Sequence, residues 1–115
     1  QWLKEVVKSE EFINAKTRIV FCHMNPNDNG WHGQATISKY FVPILNEAGI
    51  DLMLCGHIHK FRYEKPGTTS ADFPVVCNPN LKLMEASVKA DNIRLEFLDE
   101  NKVVETINIR PGAWK

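Results

Sequence analysis

The residues best suited to chemistry in this sequence are histidines that directly follow apolar runs. His23 follows the run 19–22, and His57 and His59 belong to a Gly-His-Ile-His sequence that follows the run 51–55. Imidazole nitrogens bind Zn, Fe, Ni and Cu, and an imidazole also exchanges protons near neutral pH. The histidines therefore predict a site for metal ions, or for a metal ion and a phosphate, without naming the metal.

The apolar runs that precede these histidines are predicted to be buried, parallel strands. Apart from Asp51, which begins the second run, both runs are apolar on both faces, as expected of strands covered on both sides. A helix predicted at about 38–47 connects them. Because sites in open α/β sheets lie at the carboxyl ends of strands, we expect the histidines to converge. A third apolar run ends at Asn78 and adds it to the candidates.

The rest of the chain predicts an α/β fold. Residues 2–13 have the spacing of an amphipathic helix, and the alternating segment 61–64 indicates a short strand. The last third alternates apolar and polar residues in three runs separated by turn sequences, which predicts an antiparallel meander over 82–89, 93–98 and 103–109. The order helix–strand–helix–strand followed by a meander is typical of a layered α/β domain.

Within the Gly-His-Ile-His sequence, an extended backbone would direct the two histidines to one side. His57 and His59 have the same parity, and Ile58 between them would point towards the core. Gly56 is expected to let the chain turn tightly just before them. The segment thus predicts two imidazoles on one face.

The sequence resembles the last two motifs of the calcineurin-like metallophosphoesterases. The resemblance consists of His23 after Ile-Val-Phe-Cys, the segment 44–52, and Gly-His-Ile-His at 56–59, and it covers roughly residues 1 to 80. It implies that residues 1–115 form one partial domain, the C-terminal half of an αββα metallophosphoesterase sandwich. The implied activity is that of a phosphatase or phosphodiesterase.

The resemblance also implies a role for each histidine. His23 and His57 would bind one metal ion and His59 a second, the pair being Mn, Fe or Zn in the full domain. Such a centre activates hydroxide for in-line attack on the phosphorus of a phosphoester substrate. His32 and Asn78 are candidate substrate contacts, and no catalytic residue is assigned in this chain.

The chain lacks the family's Asp-x-His, Gly-Asp-x-x-Asp and Gly-Asn-His motifs, which would supply the bridging aspartate and most other ligands. We therefore expect a partner, the N-terminal half of the domain, and predict that this chain alone is inactive. Exposed apolar surface is expected to make it self-associate.

Bulk properties narrow the remaining function classes. The 115 residues include 14 basic and 14 acidic side chains, so neither nucleic acid nor a membrane surface is predicted as a partner. The chain does not start with Met, so the natural N-terminus is expected elsewhere and the localisation is not assigned. The three cysteines, Cys22, Cys55 and Cys77, are interpreted as core residues.

Two alternatives stay open from the sequence alone. One is a mononuclear zinc site of two cysteines and two histidines, although Cys22 and His23, adjacent in a strand, should point to opposite faces. The other is a non-catalytic binding domain whose histidines are vestigial.

Overall fold

Helices cover one face of a four-stranded sheet, and a three-stranded antiparallel sheet covers the other. The computed structural model describes residues 2–27, 34–112 and 114. This arrangement confirms the predicted mixed α/β class with a closing meander. In the described ranges, no helix has the length and apolar character needed to cross a membrane.

Short elements make up both layers. The helical segments of the described residues are α1 (Trp2–Val6), α2 (Glu10–Asn14), α3 (Gln34–Thr36) and α4 (Val42–Ala48), with a π-helical turn, Ile37–Phe41, between the last two. The strands are β1 (Ile19–Phe21), β2 (Leu52–Cys55), β3 (Arg62–Glu64), β4 (Val75–Cys77), β5 (Leu83–Lys89), β6 (Asn92–Asp99) and β7 (Lys102–Ile109).

The single helix expected over 2–13 is wrong, because the chain forms two helices that meet at Ser9. The Ser9 hydroxyl donates a hydrogen bond to the Val6 carbonyl at 2.7 Å and accepts one from the Phe12 amide at 3.3 Å. Serine competes in this way with helical hydrogen bonding, so it caps α2 and ends the preceding turn.

The second helical region begins earlier than expected, at Gln34, and contains a π-helical turn before Pro43. Pro43 lies in the first turn of α4, where a residue without an amide hydrogen is tolerated. The Val42 amide donates to the carbonyl of Ile37, five residues back. Gly49 adopts the left-handed conformation, with φ 77°, and ends α4.

The four-stranded sheet brings three carboxyl ends to one edge. Its order is β1-β2-β4-β3; β1, β2 and β4 are parallel, and β3 is antiparallel to β4. The chain leaves these parallel strands at residues 22, 56 and 78 respectively. The predicted convergence of the segments that carry His23, His57 and Asn78 therefore follows from the topology.

The meander packs on the face of the larger sheet that is opposite the helices. Ile93, Leu95 and Phe97 of β6 are buried against Leu54 and Val76. The β6–β7 connection contains Glu100 and Asn101 with φ of 50° and 68°, as a two-residue type I′ hairpin turn requires.

Candidate functional site

Two of the predicted histidines meet at the carboxyl edge of the parallel strands. Nε2 of His23 lies 2.9 Å from Nδ1 of His57, and the ring centroids are 4.8 Å apart with the planes at 75°. His23 is exposed and His57 is half-buried. The pair therefore joins two segments of the chain and remains accessible to a ligand.

Backbone hydrogen bonds hold the three segments beyond the ends of the strands. The Cys22 amide donates to the Leu54 carbonyl, the Gly56 amide to the His23 carbonyl and the Asn78 amide to the Cys55 carbonyl, each at 2.9 Å. Because these bonds continue the parallel ladder, they fix the backbone under both histidines to the rigid sheet.

His57 adopts an unusual backbone conformation. Its φ is 70°, and the Ile58 amide donates to the Gly56 carbonyl at 2.8 Å. A hydrogen bond between residues two apart, with positive φ at the residue between them, is the pattern of a γ-turn of the rare, strained class. Backbone strain of this kind is concentrated at functional sites and persists where the surrounding structure enforces it.

The expectation of an extended Gly-His-Ile-His segment is wrong. His57 and His59 both have positive φ, and His59 is exposed with φ 60°. The chain leaves β2 at Cys55 and bends at the histidines, whereas Gly56 does not have a left-handed conformation. A Cβ atom at Gly56 would meet nothing within 4 Å. Ile58 packs against the helix-side core, as predicted.

The histidine pair has the spacing of two ligands of one metal ion. Two nitrogens that each lie about 2.0–2.1 Å from an ion are about 3.3 Å apart at the tetrahedral angle that zinc prefers and about 2.9 Å apart at the right angle of an octahedral site. The same separation holds a hydrogen bond, in which one ring nitrogen donates and the other accepts. A metal ion and the shared proton cannot be present together. Both nitrogens of the contact, His23 Nε2 and His57 Nδ1, need free lone pairs to bind a metal.

The described residues do not form a complete set of metal ligands. Within ranges 2–27 and 34–112 and at residue 114, no group of three or more His, Cys, Asp or Glu side chains is arranged to hold an ion. Asp51 lies at the amino end of β2, where it is 4% exposed and accepts a hydrogen bond from the Arg18 amide at 2.8 Å. The described residues therefore offer two neighbouring imidazoles and no complete set of metal ligands.

Asn78, a candidate substrate contact, directly follows β4, the strand next to β2, and its backbone amide donates to the Cys55 carbonyl. Its amide group donates from Nδ2 to the Lys82 carbonyl at 3.1 Å, which holds the turn after β4. Its Oδ1 is buried and accepts no hydrogen bond from the described residues. His32, the other candidate, lies outside the described residues.

Sequence reasoning missed a polar cluster next to His23. Asn25 is 1% exposed, and its Nδ2 donates to Glu64 Oε1 at 2.9 Å and to Cys77 Sγ at 3.3 Å. Its Oδ1 accepts from the Asn27 amide at 2.7 Å, and Asn27 Nδ2 donates to the same Glu64 oxygen at 3.1 Å. The cluster ties the segment after His23 to β3 and β4. The only local signal was an Asn-Pro dipeptide just after a candidate ligand, which is equally typical of a turn.

The cysteines lie on the helix-facing side of the sheet. Cys55 and Cys77 are 6% and 0% exposed, which confirms their assignment to the core, and Cys22 is half-buried against the same cluster. Burial raises the pKa of the Cys22 thiol. The pKa of Cys77 is lowered, chiefly because the Cys55 thiol donates a hydrogen bond to its sulfur.

Comparison with known proteins shows a likeness of fold. No family model and no curated protein matches the chain. Among solved structures it is similar to GAP50, described as the anchor in the inner membrane complex of Plasmodium, with a TM-score of 0.60 and 16% sequence identity. The likeness covers 84% of this chain and 37% of the GAP50 chain, so the chain spans little more than a third of that protein. At this identity the likeness concerns the fold alone.

Proposed function

We propose that this chain is the C-terminal half of a metal-dependent phosphoester hydrolase domain, in which His23 and His57 bind one metal ion. The observation that carries the proposal is the 2.9 Å separation of their inner ring nitrogens at the carboxyl edge of the parallel strands. That edge is where open α/β sheets bind ligands. The resemblance of the two motifs to calcineurin-like metallophosphoesterases supports the choice of a phosphoester as substrate.

The strained turn at His57 adds independent support. A half-buried histidine in a left-handed γ-turn lowers stability, and a residue such as glycine would adopt this backbone more easily. The Gly56–His23 backbone hydrogen bond and the packing of Ile58 enforce the conformation. A strained backbone that the surrounding structure holds in place is typical of residues preorganised to bind a ligand.

The ions, when bound, would stabilise charge on the phosphoryl oxygens and supply a hydroxide nucleophile. The chain's own residues would orient the site. His23 and His57 would hold the first ion, and the exposed His59 would reach a second, which is Mn, Fe or Zn by the resemblance. Asn78 Oδ1, which is buried and accepts no hydrogen bond from the described residues, is suited to accept one from a water molecule or substrate group.

An open edge of the sandwich supports a partner that completes the domain. β1 is the terminal strand of its sheet, and Phe21 within it is 79% exposed. The inner face of β5 is also uncovered: Val88 is 47% exposed, although its register partner Ile93 is fully buried. A depression of about 320 Å³ lies between the two edges, lined by residues that include Phe21 and Met84.

A further strand beside β1 would cover Phe21 and the inner face of β5 together. We assign this strand to the N-terminal half of the domain, which would also bring the carboxylate ligands. Without it, we expect the chain to self-associate through the exposed apolar surface. Light scattering at high protein concentration tests this: an increase in mass with concentration that Phe21→Lys reduces is expected, whereas a monomer at every concentration would contradict it.

Activity tests the proposal directly. The purified chain, supplied with Mn²⁺ or Zn²⁺, is expected not to hydrolyse p-nitrophenyl phosphate esters, because the carboxylate ligands are missing. A polypeptide that contains this chain together with the aspartate motifs is expected to hydrolyse them and to lose the activity with His57→Ala. Hydrolysis by the chain alone that His57→Ala abolishes would contradict the assignment as an inactive half.

A non-catalytic binding domain is a second candidate, supported by the likeness of fold to GAP50, which is described as an anchor. Under that function His23 and His57 would form a hydrogen-bonded structural pair. Metal binding separates the candidates, because a structural pair has no need of an ion.

A further inference from the structure

The three cysteines form a row across neighbouring strands. Cys55 of β2 and Cys77 of β4 are register partners in a parallel pair. Cys22 lies beside Cys55 on the other side, because Phe21 is the register partner of Leu54 and the Cys22 amide donates to the Leu54 carbonyl. All three side chains contact the helix-side core. The sheet therefore sets three thiols side by side on one face.

Cys55 and Cys77 are the members of the row that face each other as register partners, and both are buried in the helix-side core. The Cys77 sulfur accepts a hydrogen bond from Asn25 Nδ2 at 3.3 Å. Neighbouring strands are about 4.7–4.9 Å apart, which falls within the Cα separation of about 4.4–6.8 Å that disulfides span. The Cα separation of register partners is thus compatible with a disulfide between these residues.

We propose that Cys55 and Cys77 are a redox site that forms a reversible disulfide when the protein meets a small peroxide. The oxidant must be small, because both side chains are buried, and hydrogen peroxide is little larger than a water molecule. The site is separate from the histidine pair and does not depend on the proposed hydrolase function.

The chemistry of the step balances with a peroxide as the only co-reactant. The Cys77 thiolate attacks one peroxide oxygen, the O–O bond breaks, and the leaving hydroxide takes up the proton released from the thiol to form water. The Cys77 sulfenic acid is then attacked by the Cys55 sulfur; the S–S bond forms, the S–O bond breaks, and a second water leaves. Two thiols and one peroxide thus give one disulfide and two waters.

The order of attack follows from the hydrogen bonds. The Asn25 amide donates to the Cys77 sulfur and favours negative charge there. The Cys55 thiol beside it also lowers the pKa of Cys77. The thiolate is the form of cysteine that attacks an oxidant. Cys55, its register partner on the neighbouring strand, is placed to resolve the sulfenic acid before it oxidises further.

Cys22 provides a matched control. It lies two strands away from Cys77, at roughly twice the strand spacing of about 4.7–4.9 Å, which is too far for a disulfide. It is also the most exposed of the three thiols, so an oxidation that depended only on accessibility would begin there.

Peptide mapping of the folded chain distinguishes a Cys55–Cys77 disulfide from oxidation of Cys22. Trypsin places the three cysteines in separate peptides, 19–39, 40–60 and 63–82. The chain is treated with hydrogen peroxide, blocked with an alkylating reagent and digested without reductant. We expect peptides 40–60 and 63–82 joined by a disulfide, with the mass of two hydrogens lost, and released by dithiothreitol. Cys22→Ser should leave this product unchanged, and Cys55→Ala or Cys77→Ala should abolish it.

Three outcomes would overturn the proposal. They are oxidation confined to Cys22, alkylation of both Cys55 and Cys77 after peroxide, and a disulfide that forms only when the chain is unfolded in urea. Circular dichroism of each variant shows that it is folded, and loss of the disulfide in either of the two folded alanine variants suffices to support the assignment.

Discussion

Nε2 of His23 and Nδ1 of His57 lie 2.9 Å apart although the two residues are separated by 34 positions in the chain. The parallel ladder between β1 and β2 creates this contact, since the Gly56 amide donates to the His23 carbonyl just beyond the strand ends. Each imidazole is therefore placed by the sheet rather than by a flexible loop, as a preorganised ligand pair requires.

The γ-turn at His57 predicts opposite effects of glycine at the two histidines. At His57, glycine should give a protein more stable than alanine does, by about 1 kcal/mol, because alanine retains the strain of positive φ and glycine does not. His23 has no positive φ, so glycine there should be the less stable substitution. Urea unfolding of the four variants measures the difference; the same order at both positions would contradict the strained turn.

Arg18 is predicted to be a main contributor to stability outside the site. Its guanidinium donates to the carbonyls of Phe12 at 3.1 Å, Ala48 at 2.9 Å and Ile13 at 2.9 Å, which links α2, the end of α4 and β1. Arg18→Ala should lower the free energy of unfolding by about 2–3 kcal/mol, since it leaves helix-end carbonyls without their charged donor.

Arg94 provides the control for this prediction, because it is exposed on the outer face of the meander. Arg94→Ala should change the free energy of unfolding by less than about 0.5 kcal/mol. Equal effects of the two substitutions in chemical denaturation would show that the Arg18 contacts contribute little.

Asn25 is predicted to stabilise the segment that follows His23. Asn25→Ala removes hydrogen bonds to Glu64, to Cys77 and from the Asn27 amide, and leaves that amide without its acceptor. We expect a loss of about 2–3 kcal/mol. Asn108→Ala, at an exposed position of β7, should cost less than about 0.5 kcal/mol in the same thermal or urea measurement. A small effect at Asn25 would mean that water replaces its partners.

The β6–β7 turn offers a stabilising change. Glu100 and Asn101 both have positive φ, and the pair Asn-Gly suits a type I′ turn better than Glu-Asn. Glu100→Asn combined with Asn101→Gly should raise the free energy of unfolding by about 1 kcal/mol, or the melting temperature by roughly 4–8 °C. An unchanged melting temperature would indicate that the turn has another conformation.

The sequence predicted the parts of the fold that depend on local pattern. Apolar runs indicated the parallel strands and alternation indicated the meander, because burial on two faces or one leaves a direct signature. The expected burial on both faces was wrong for β1, in which Phe21 is 79% exposed. The break at Ser9 and the π-helical turn were not predicted, since each depends on competition between nearly equal hydrogen-bonding arrangements.

The candidate site was foreseen in part. The convergence of His23 and His57 followed from the expected strand order, but the backbone conformation of His57 and His59 did not, because parity arguments hold only for an extended chain. The Asn25–Glu64 contact joins residues 39 positions apart, so no local sequence pattern predicts it. The metal-binding roles remain predictions.

The most direct test of the central claim is calorimetric titration of the chain with Zn²⁺ and Mn²⁺, compared with its His23→Ala, His57→Ala and His59→Ala variants. We predict one ion bound through the histidine pair, with affinity lowered by at least about 10- to 100-fold in His23→Ala and in His57→Ala, since loss even of an outer partner of a ligand has that effect. His59→Ala should retain this ion. Binding that is equally strong in the wild type and in the His23→Ala and His57→Ala variants would contradict the claim that His23 and His57 are metal ligands in this fold.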